Sequence, residues 1–169
     1  MSTTHTTIAS PLGELVLVTE DAALRGVYFP GHWPRPDPAT FGERSEHGLD
    51  EVPQQLAEYF AGERTSFELP TSVSGNPFQR RVWDLIDQIP YGQTTTYSQL
   101  ARKLGNPALA RKVGQAVGHN PLSVIVPCHR VVGSDGTLTG YAGGLARKRF
   151  LLELEAAARR CDDRAPSLF

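Results

Sequence analysis

The stretch Thr96-Tyr97-Ser98-Gln99-Leu100-Ala101-Arg102-Lys103-Leu104-Gly105-Asn106-Pro107-Ala108-Leu109-Ala110-Arg111-Lys112-Val113-Gly114-Gln115-Ala116-Val117-Gly118 decides how the second half of this chain folds. Leu100, Ala101 and Leu104 recur at helical spacing behind an N-cap at Thr96 or Ser98, and Gly105 suits a left-handed C-terminal cap. Asn106-Pro107 restarts a helix at once, with Leu109, Ala110, Val113, Ala116 and Val117 on its apolar face as far as Gly118. Two short helices across so tight a turn have the spacing of a helix-turn-helix, with Arg111, Lys112 and Gln115 exposed on the second. The same spacing also serves an ordinary packing hairpin. Glycine inside a helix costs about 1 kcal/mol relative to alanine, so Gly114 and Gly118 point to a surface that something approaches closely, whether a ligand or a neighbouring helix.

Working outward, Asn76-Pro77 caps an earlier helix whose stripe is Phe78, Val82, Leu85, Ile86 and Ile89, ending at Pro90-Tyr91-Gly92. Downstream lie the apolar run Leu122 to Val126, a Gly133-Ser134-Asp135-Gly136 turn and the glycine-rich loop Thr139-Gly140-Tyr141-Ala142-Gly143-Gly144. That loop does not match the spacing of a nucleotide phosphate cradle. A last helix is expected from Ala146 to Arg160, with Leu151, Leu154 and Ala158 inward. Towards the N-terminus, Thr6 to Ala9, Leu15 to Thr19 and Leu24 to Phe29 alternate as three strands of an antiparallel meander. Pro30 to Pro38, with Trp33, is a loop, and Asp50 to Ala61 is a helix through Val52, Leu56, Tyr59 and Phe60. Thr71 to Gly75 is the best linker, dividing the chain into residues 1–74 and 75–169.

The 169 residues suffice for one domain or two small ones, with the composition of a soluble globular protein. The two cysteines, Cys128 and Cys161, make no disulfide framework, and Cys161 sits in a polar tail. No export leader is expected at Met1 to Ser10 and no stretch is long enough to span a bilayer, so the expected compartment is the cytoplasm. Charge is unevenly spread. Residues 1–74 hold four arginines against eleven acids, net −7, whereas residues 75–169 hold thirteen lysines and arginines against seven acids, net +6. A basic half points to a polyanion such as nucleic acid, unless its cations are merely solvated.

Within that half, Ile125-Val126-Pro127-Cys128-His129-Arg130-Val131 sets a thiol beside an imidazole and a guanidinium. Thiolate, not thiol, is the nucleophile, and His129 or Arg130 are candidates for raising its fraction. Neighbours along a strand point to opposite faces, so His129 acts from the other side or through water. A cysteine among aliphatics also serves as a small core residue.

Taken with Asn120-Pro121 upstream, the Arg111 helix, the Gly140-Tyr141-Ala142-Gly143-Gly144 loop and the opening Thr7-Ile8-Ala9-Ser10-Pro11-Leu12-Gly13, the Pro127-Cys128-His129-Arg130 motif resembles the O6-alkylguanine-DNA alkyltransferase family. The likeness runs from Asn76 to Glu155 nearly without gaps. It implies an α+β fold: a small N-terminal antiparallel sheet with a helix, ribonuclease H-like, followed by a mainly helical winged helix-turn-helix domain. It also implies direct-reversal DNA repair, in which the O6-alkyl group of guanine, and with it the O4-alkyl group of thymine, passes irreversibly to Cys128.

By resemblance, His129 takes the proton of Cys128 through a bridging water, Glu155 orients His129, and Asn120 holds the turn near the sulfur. Tyr97 donates towards the departing O6, while Tyr141, the Val131 and Ser134 backbones and Gly143 contact the flipped base. Arg111 enters the duplex where the base has left the stack, and Ala110, Gly114 and Gly118 let the helix approach the sugar-phosphate walls of the minor groove. The partner is double-stranded DNA, bound by a monomer, with cooperativity on DNA left open. No cofactor and no metal are expected, since the first half lacks cysteine and His5, His32 and His47 stand in unpatterned contexts. Two other readings compete: a noncatalytic lesion-sensing or regulatory DNA-binding protein, and a cysteine hydrolase built on Cys128 and His129.

Overall fold

The computed structural model describes residues 3–32, 36–46, 49–136, 138 and 140–164, with side chains in the last helix as far as Ala158. Trp33, His47, Thr139 and the side chain of Cys161, all singled out above, lie outside the described residues.

The meander forms as expected. Strands β1 (Thr3–Ile8), β2 (Leu15–Glu20) and β3 (Ala23–Tyr28) pair antiparallel, β1 in register from Thr3 opposite Glu20 to Ile8 opposite Leu15. Asp21 and Ala22 close β2 onto β3 with φ of 50° and 65°, the left-handed pair that a two-residue hairpin needs. A two-residue strand β4 (Glu43–Arg44) adds in parallel to β1, completing the order β3-β2-β1-β4. Helix α1 (Glu51–Phe60) lays Val52, Leu56 and Tyr59 on Leu15, Leu17, Leu24 and Val27.

The free edge of β3 joins the two halves. Leu24 N–H donates to Pro70 O at 2.8 Å and Ser72 N–H to Leu24 O at 2.9 Å, while Val27 N–H donates to Pro121 O at 2.8 Å. Thr71 and Ser72, expected within a linker, are therefore paired to the sheet, and the sheet also grips the start of the segment leading to Cys128. Leu122, Val124, Ile125 and Leu151 pack into the same core as α1.

The second core is helical. Helix α2 (Pro77–Asp87) starts with a capping box: Asn76 Oδ1 accepts from Gln79 N–H at 2.8 Å and Gln79 Oε1 accepts from Asn76 N–H at 3.0 Å. Thr96 and Gln99 repeat the device on α3 (Tyr97–Lys103). Gly105, the residue after the Leu104 C-cap, takes φ +95°, the left-handed conformation that ends such a helix. Asn106-Pro107 opens a single 3₁₀ turn, so α4 begins at Ala110 and runs to Gly118. The α2 stripe includes Trp83, whose Nε1–H donates to Ala116 O at 2.8 Å and ties α2 to α4. Helix α5 (Leu145–Arg164) extends past the expected Arg160.

Strand alternation does not continue through the apolar run. Between Leu122 and Arg130 the backbone is irregular, with Val124 at φ +71°, and Cys128–Arg130 form one 3₁₀ turn. Pro121 and Pro127 each lack a donor, which breaks any ladder there. Pairing resumes only at β6 (Val131–Val132), parallel to β5 (Thr95–Thr96). That short pair fixes the end of the cysteine turn beside the first residue of α3, Tyr97.

Candidate active site

The turn carrying Cys128 is wrapped around one amide. Asn120, 3% exposed, accepts from Leu122 N–H at 3.0 Å through Oδ1 and donates from Nδ2 to Val126 O at 2.9 Å and to Cys128 Sγ at 3.2 Å. Leu122 O in turn accepts from Val126 N–H at 2.8 Å. Asparagine thus supplies the hydrogen bonds that a neighbouring strand would otherwise provide, which permits the left-handed Val124.

Cys128 is buried, and burial pushes its thiol above the usual value. The Asn120 hydrogen bond, the Lys148 charge and the Tyr141 hydroxyl act in the opposite direction without overcoming it. The resting sulfur is accordingly protonated at neutral pH. Tyr141 holds its hydroxyl against Cys128 and Ser123 without a hydrogen bond of ordinary geometry.

His129 and Arg130, the candidates for depressing the thiol, turn instead to Glu155, which is 1% exposed on α5. His129 Nε2 lies 2.7 Å from Glu155 Oε2. Arg130 donates from Nε to Oε1 at 2.8 Å and from Nη2 to Oε2 at 3.0 Å, with Nη1 on Ile89 O at 2.6 Å. The Tyr59 hydroxyl donates to Oε2 at 2.5 Å and Gly92 N–H to Oε1 at 3.3 Å. Burial drives the Glu155 carboxyl up, but the His129 and Arg130 hydrogen bonds and charges outweigh it and hold it at about 2. Burial drives His129 below its ordinary value against the pull of Glu155.

An ionised Glu155 fixes the tautomer: Nε2 carries the proton and Nδ1 the lone pair. Nδ1 is buried and meets no hydrogen-bond partner among the described residues. The site therefore contains a neutral, oriented imidazole with one uncommitted basic nitrogen, next in the chain to a protonated thiol.

A cleft of about 920 Å³ opens along α4 and brings together Tyr97, Ala110, Arg111, Gly114, Gly118 and Tyr141. Arg111 and Gln115 are exposed on it, and the Tyr97 ring lies 3.9 Å from where a Gly114 Cβ would stand. Val131, Ser134 and Gly143 do not line it. Val131 is buried in β6, Ser134 is exposed on the Gly133–Gly136 turn, and Gly143 packs on Phe29, whose ring a Cβ there would overlap.

Sequence reasoning missed Tyr59, Arg130 as a partner of Glu155, and Lys148. Tyr59 occupies an apolar helix position, and nothing local marks its hydroxyl as the partner of a residue 96 positions away. Lys148 is wholly buried on α5, and burial lowers it to about 8 against the opposing pull of Cys128. A lysine one helical face from Glu155, two turns earlier, is the only local signal it offers.

Comparison with known proteins bears on both halves. The family model described as "6-O-methylguanine DNA methyltransferase, ribonuclease-like domain" matches residues 4–73, and that described as "6-O-methylguanine DNA methyltransferase, DNA binding domain" matches residues 77–157. A Mycobacterium tuberculosis methylated-DNA–protein-cysteine methyltransferase is 44% identical over 166 residues, covering 94% of this chain and 95% of that protein. The constitutive methyltransferase of that name from Bacillus subtilis is 43% identical, covering 89% and 94%. Among solved structures, the crystal structure of Mycobacterium tuberculosis OGT in complex with DNA superposes with a TM-score of 0.86 at 42% identity, over 92% of this chain and 94% of that one. An O6-methylguanine DNA methyltransferase from Methanococcus jannaschii follows at 0.63 and 29%, over 89% and 92%.

Proposed function

The chain belongs to the 6-O-methylguanine DNA methyltransferase family, and from that premise we propose that it repairs alkylated DNA by transferring the alkyl group of O6-alkylguanine, and of O4-alkylthymine, to Cys128 in a single irreversible turnover. One observation carries the reading: the Glu155–His129 pair, closed at 2.7 Å, leaves His129 Nδ1 as an uncommitted base next in the chain to a thiol held by Asn120.

The steps balance on these residues. A water bridges Cys128 to His129 Nδ1 and relays the thiol proton, and the imidazolium formed is held by Glu155. The thiolate attacks the alkyl carbon as the bond from that carbon to O6 breaks, giving a thioether and guanine. Tyr97 donates towards the departing oxygen, and the proton lost by sulfur ends on the base. Water does not cleave a thioether, so the protein is consumed.

The target carbon lies inside the base stack, so the nucleotide is extruded at a cost of a few kcal/mol. Arg111 fills the space it leaves, and Ala110, Gly114 and Gly118 let α4 follow the minor groove. Tyr141 packs on the flipped base, and the Val131 and Ser134 backbones and Gly143 are carried over as contacts from the family alone. Residues 75–169 form the alkyl-acceptor and DNA-binding unit and residues 1–74 the supporting one, acting as a monomer in the cytoplasm. No helix among the described residues is long and apolar enough to cross a membrane.

Duplex DNA carrying a labelled O6-methyl group tests the reading. One label per protein on Cys128, absent from Cys128→Ala, is expected. Lesion binding without transfer would mean a sensor, and label released to solvent over many turnovers would mean a hydrolase.

A further inference from the structure

We propose that Arg147 is a positioning residue for the alkyl-acceptor site, a clamp through which the N-terminal sheet holds the Gly140–Gly144 loop, and Tyr141 with it, over Cys128. The proposal rests on the alkyl-transfer reading above.

Arg147 stands in the first turn of α5, where no acid offsets it and where a cation opposes the helix dipole, so helix stability does not account for it. Its hydrogen bonds go to three backbone carbonyls on three separate segments. Nε donates to Leu12 O at 2.8 Å, and Nη1 donates both to Pro30 O at 3.1 Å and to Gly143 O at 2.9 Å. Leu12 sits in a turn that is itself fixed, with Gly13 N–H on Ser10 O at 3.0 Å and Ser10 Oγ donating to Gly13 O at 2.6 Å. Pro30 follows β3. The third acceptor belongs to the loop that carries Tyr141.

A second contact runs in parallel. The guanidinium lies over the Phe29 ring, 5.4 Å from its centroid, and Phe29 meets the Tyr141 ring at 5.8 Å. Gly143 has to be glycine for the loop to reach Phe29 at all. Arg147 thus holds the loop two residues past Tyr141 and Phe29 meets the Tyr141 ring, both using anchors in residues 1–74, while the Tyr141 hydroxyl lies against the sulfur. A planar fork suits three carbonyls; an ammonium does not.

The experiment is single-turnover transfer from O6-methylguanine duplex DNA by full-length wild type, Arg147→Met and Arg147→Lys, with iodoacetamide alkylation of Cys128 and thermal melting alongside. Loosening the loop is expected to lower the limiting rate at saturating DNA about tenfold in Arg147→Met, since small misplacements of a positioning group have effects of that order. The half-saturating DNA concentration is expected to stay within about twofold, because the DNA-facing helix is not touched, while iodoacetamide, which needs no positioned base, is expected to react at least as fast as with wild type once the loop over Cys128 loosens. Arg147→Lys is expected to lose nearly as much, and it carries the test if Arg147→Met does not fold. A general loosening would instead raise the half-saturating DNA concentration together with lowering the limiting rate, which overturns the proposal. So does a wild-type limiting rate in either folded variant. Wild type that transfers no label overturns the alkyl-transfer reading and this proposal together; a labelled wild type with unaffected variants overturns the clamp alone.

Discussion

Cys128 stands between two regions built on opposite terms. On one side the Glu155 carboxylate takes five hydrogen bonds from four residues, Tyr59, Gly92, His129 and Arg130, in a place that solvent does not reach. On the other, the cleft along α4 presents glycine and alanine with an exposed arginine and glutamine. The network proposed to prepare the thiol is completed by folding, and it draws on both halves of the chain. The surface that would meet DNA is left for its partner to complete. A buried charge network puts stability at stake, whereas an open cleft puts only binding at stake.

The sharpest way to break this contrast is Glu155→Ala. It leaves Arg130 buried beside a vanished carboxylate and is expected to cost about 3–5 kcal/mol by urea unfolding, the range for removing one partner of a buried ion pair. Should it cost no more than a cleft substitution, the network does not bear on stability and the contrast fails.

Acid titration reaches the same residue without mutation. The folded carboxyl sits at about 2 against an ordinary 4.5, so its contribution is present above pH 4.5 and is lost as pH falls towards 2. The full shift corresponds to about 3 kcal/mol, read as a falling urea midpoint. His32, which burial lowers to about 4, and His129, which burial also holds below its ordinary value, give a separate loss that begins below 6.5. Glu155→Ala is expected to abolish the lower step and keep the His32 part of the upper one. A wild-type midpoint that is flat from pH 4.5 to 3 would contradict the depressed carboxyl.

Tyr59→Phe is a smaller intervention on the same side. It deletes one hydrogen bond to a buried charge, with an expected loss of about 1–3 kcal/mol. It also asks whether the N-terminal half belongs to the active site: limiting transfer is expected to slow, because Glu155 is less firmly held against His129. Unchanged transfer in a destabilised protein would make Tyr59 structural only.

The two regions also differ in how far they were legible. The helices that carry the cleft follow from caps and helical periods, with Arg111 exposed and Gly114 and Gly118 out of place inside a helix, and Thr96, Gly105 and Asn76 do what their types predict locally. The Glu155 network is assembled by contacts between distant positions, which no local period encodes. Glu155 looks like any helix glutamate, Tyr59 like any core aromatic, and β4 is too short to alternate. The cysteine segment read as strand-like because it is apolar, and it folds otherwise because Pro121, Pro127 and the Asn120 amide remove both the need and the means for a ladder. Resemblance to the family supplied Glu155, Asn120, Tyr97 and Tyr141 where residue chemistry alone did not.

Arg111→Ala tests the open side, and its effect on the fold is expected to be the smallest of all. The side chain is exposed and no shift in stability beyond about 0.5 kcal/mol is expected. If Arg111 enters the duplex, its loss must appear instead in how transfer depends on the substrate. Transfer from a lesion in duplex DNA is expected to fall more than reaction with free O6-benzylguanine, which needs no extrusion. If the guanidinium also neutralises a phosphate, the slope of log affinity against log salt is expected to shrink by about 1. Equal losses on duplex and free base would place Arg111 in support of the pocket, and an unchanged duplex rate would remove α4 from the extrusion step altogether.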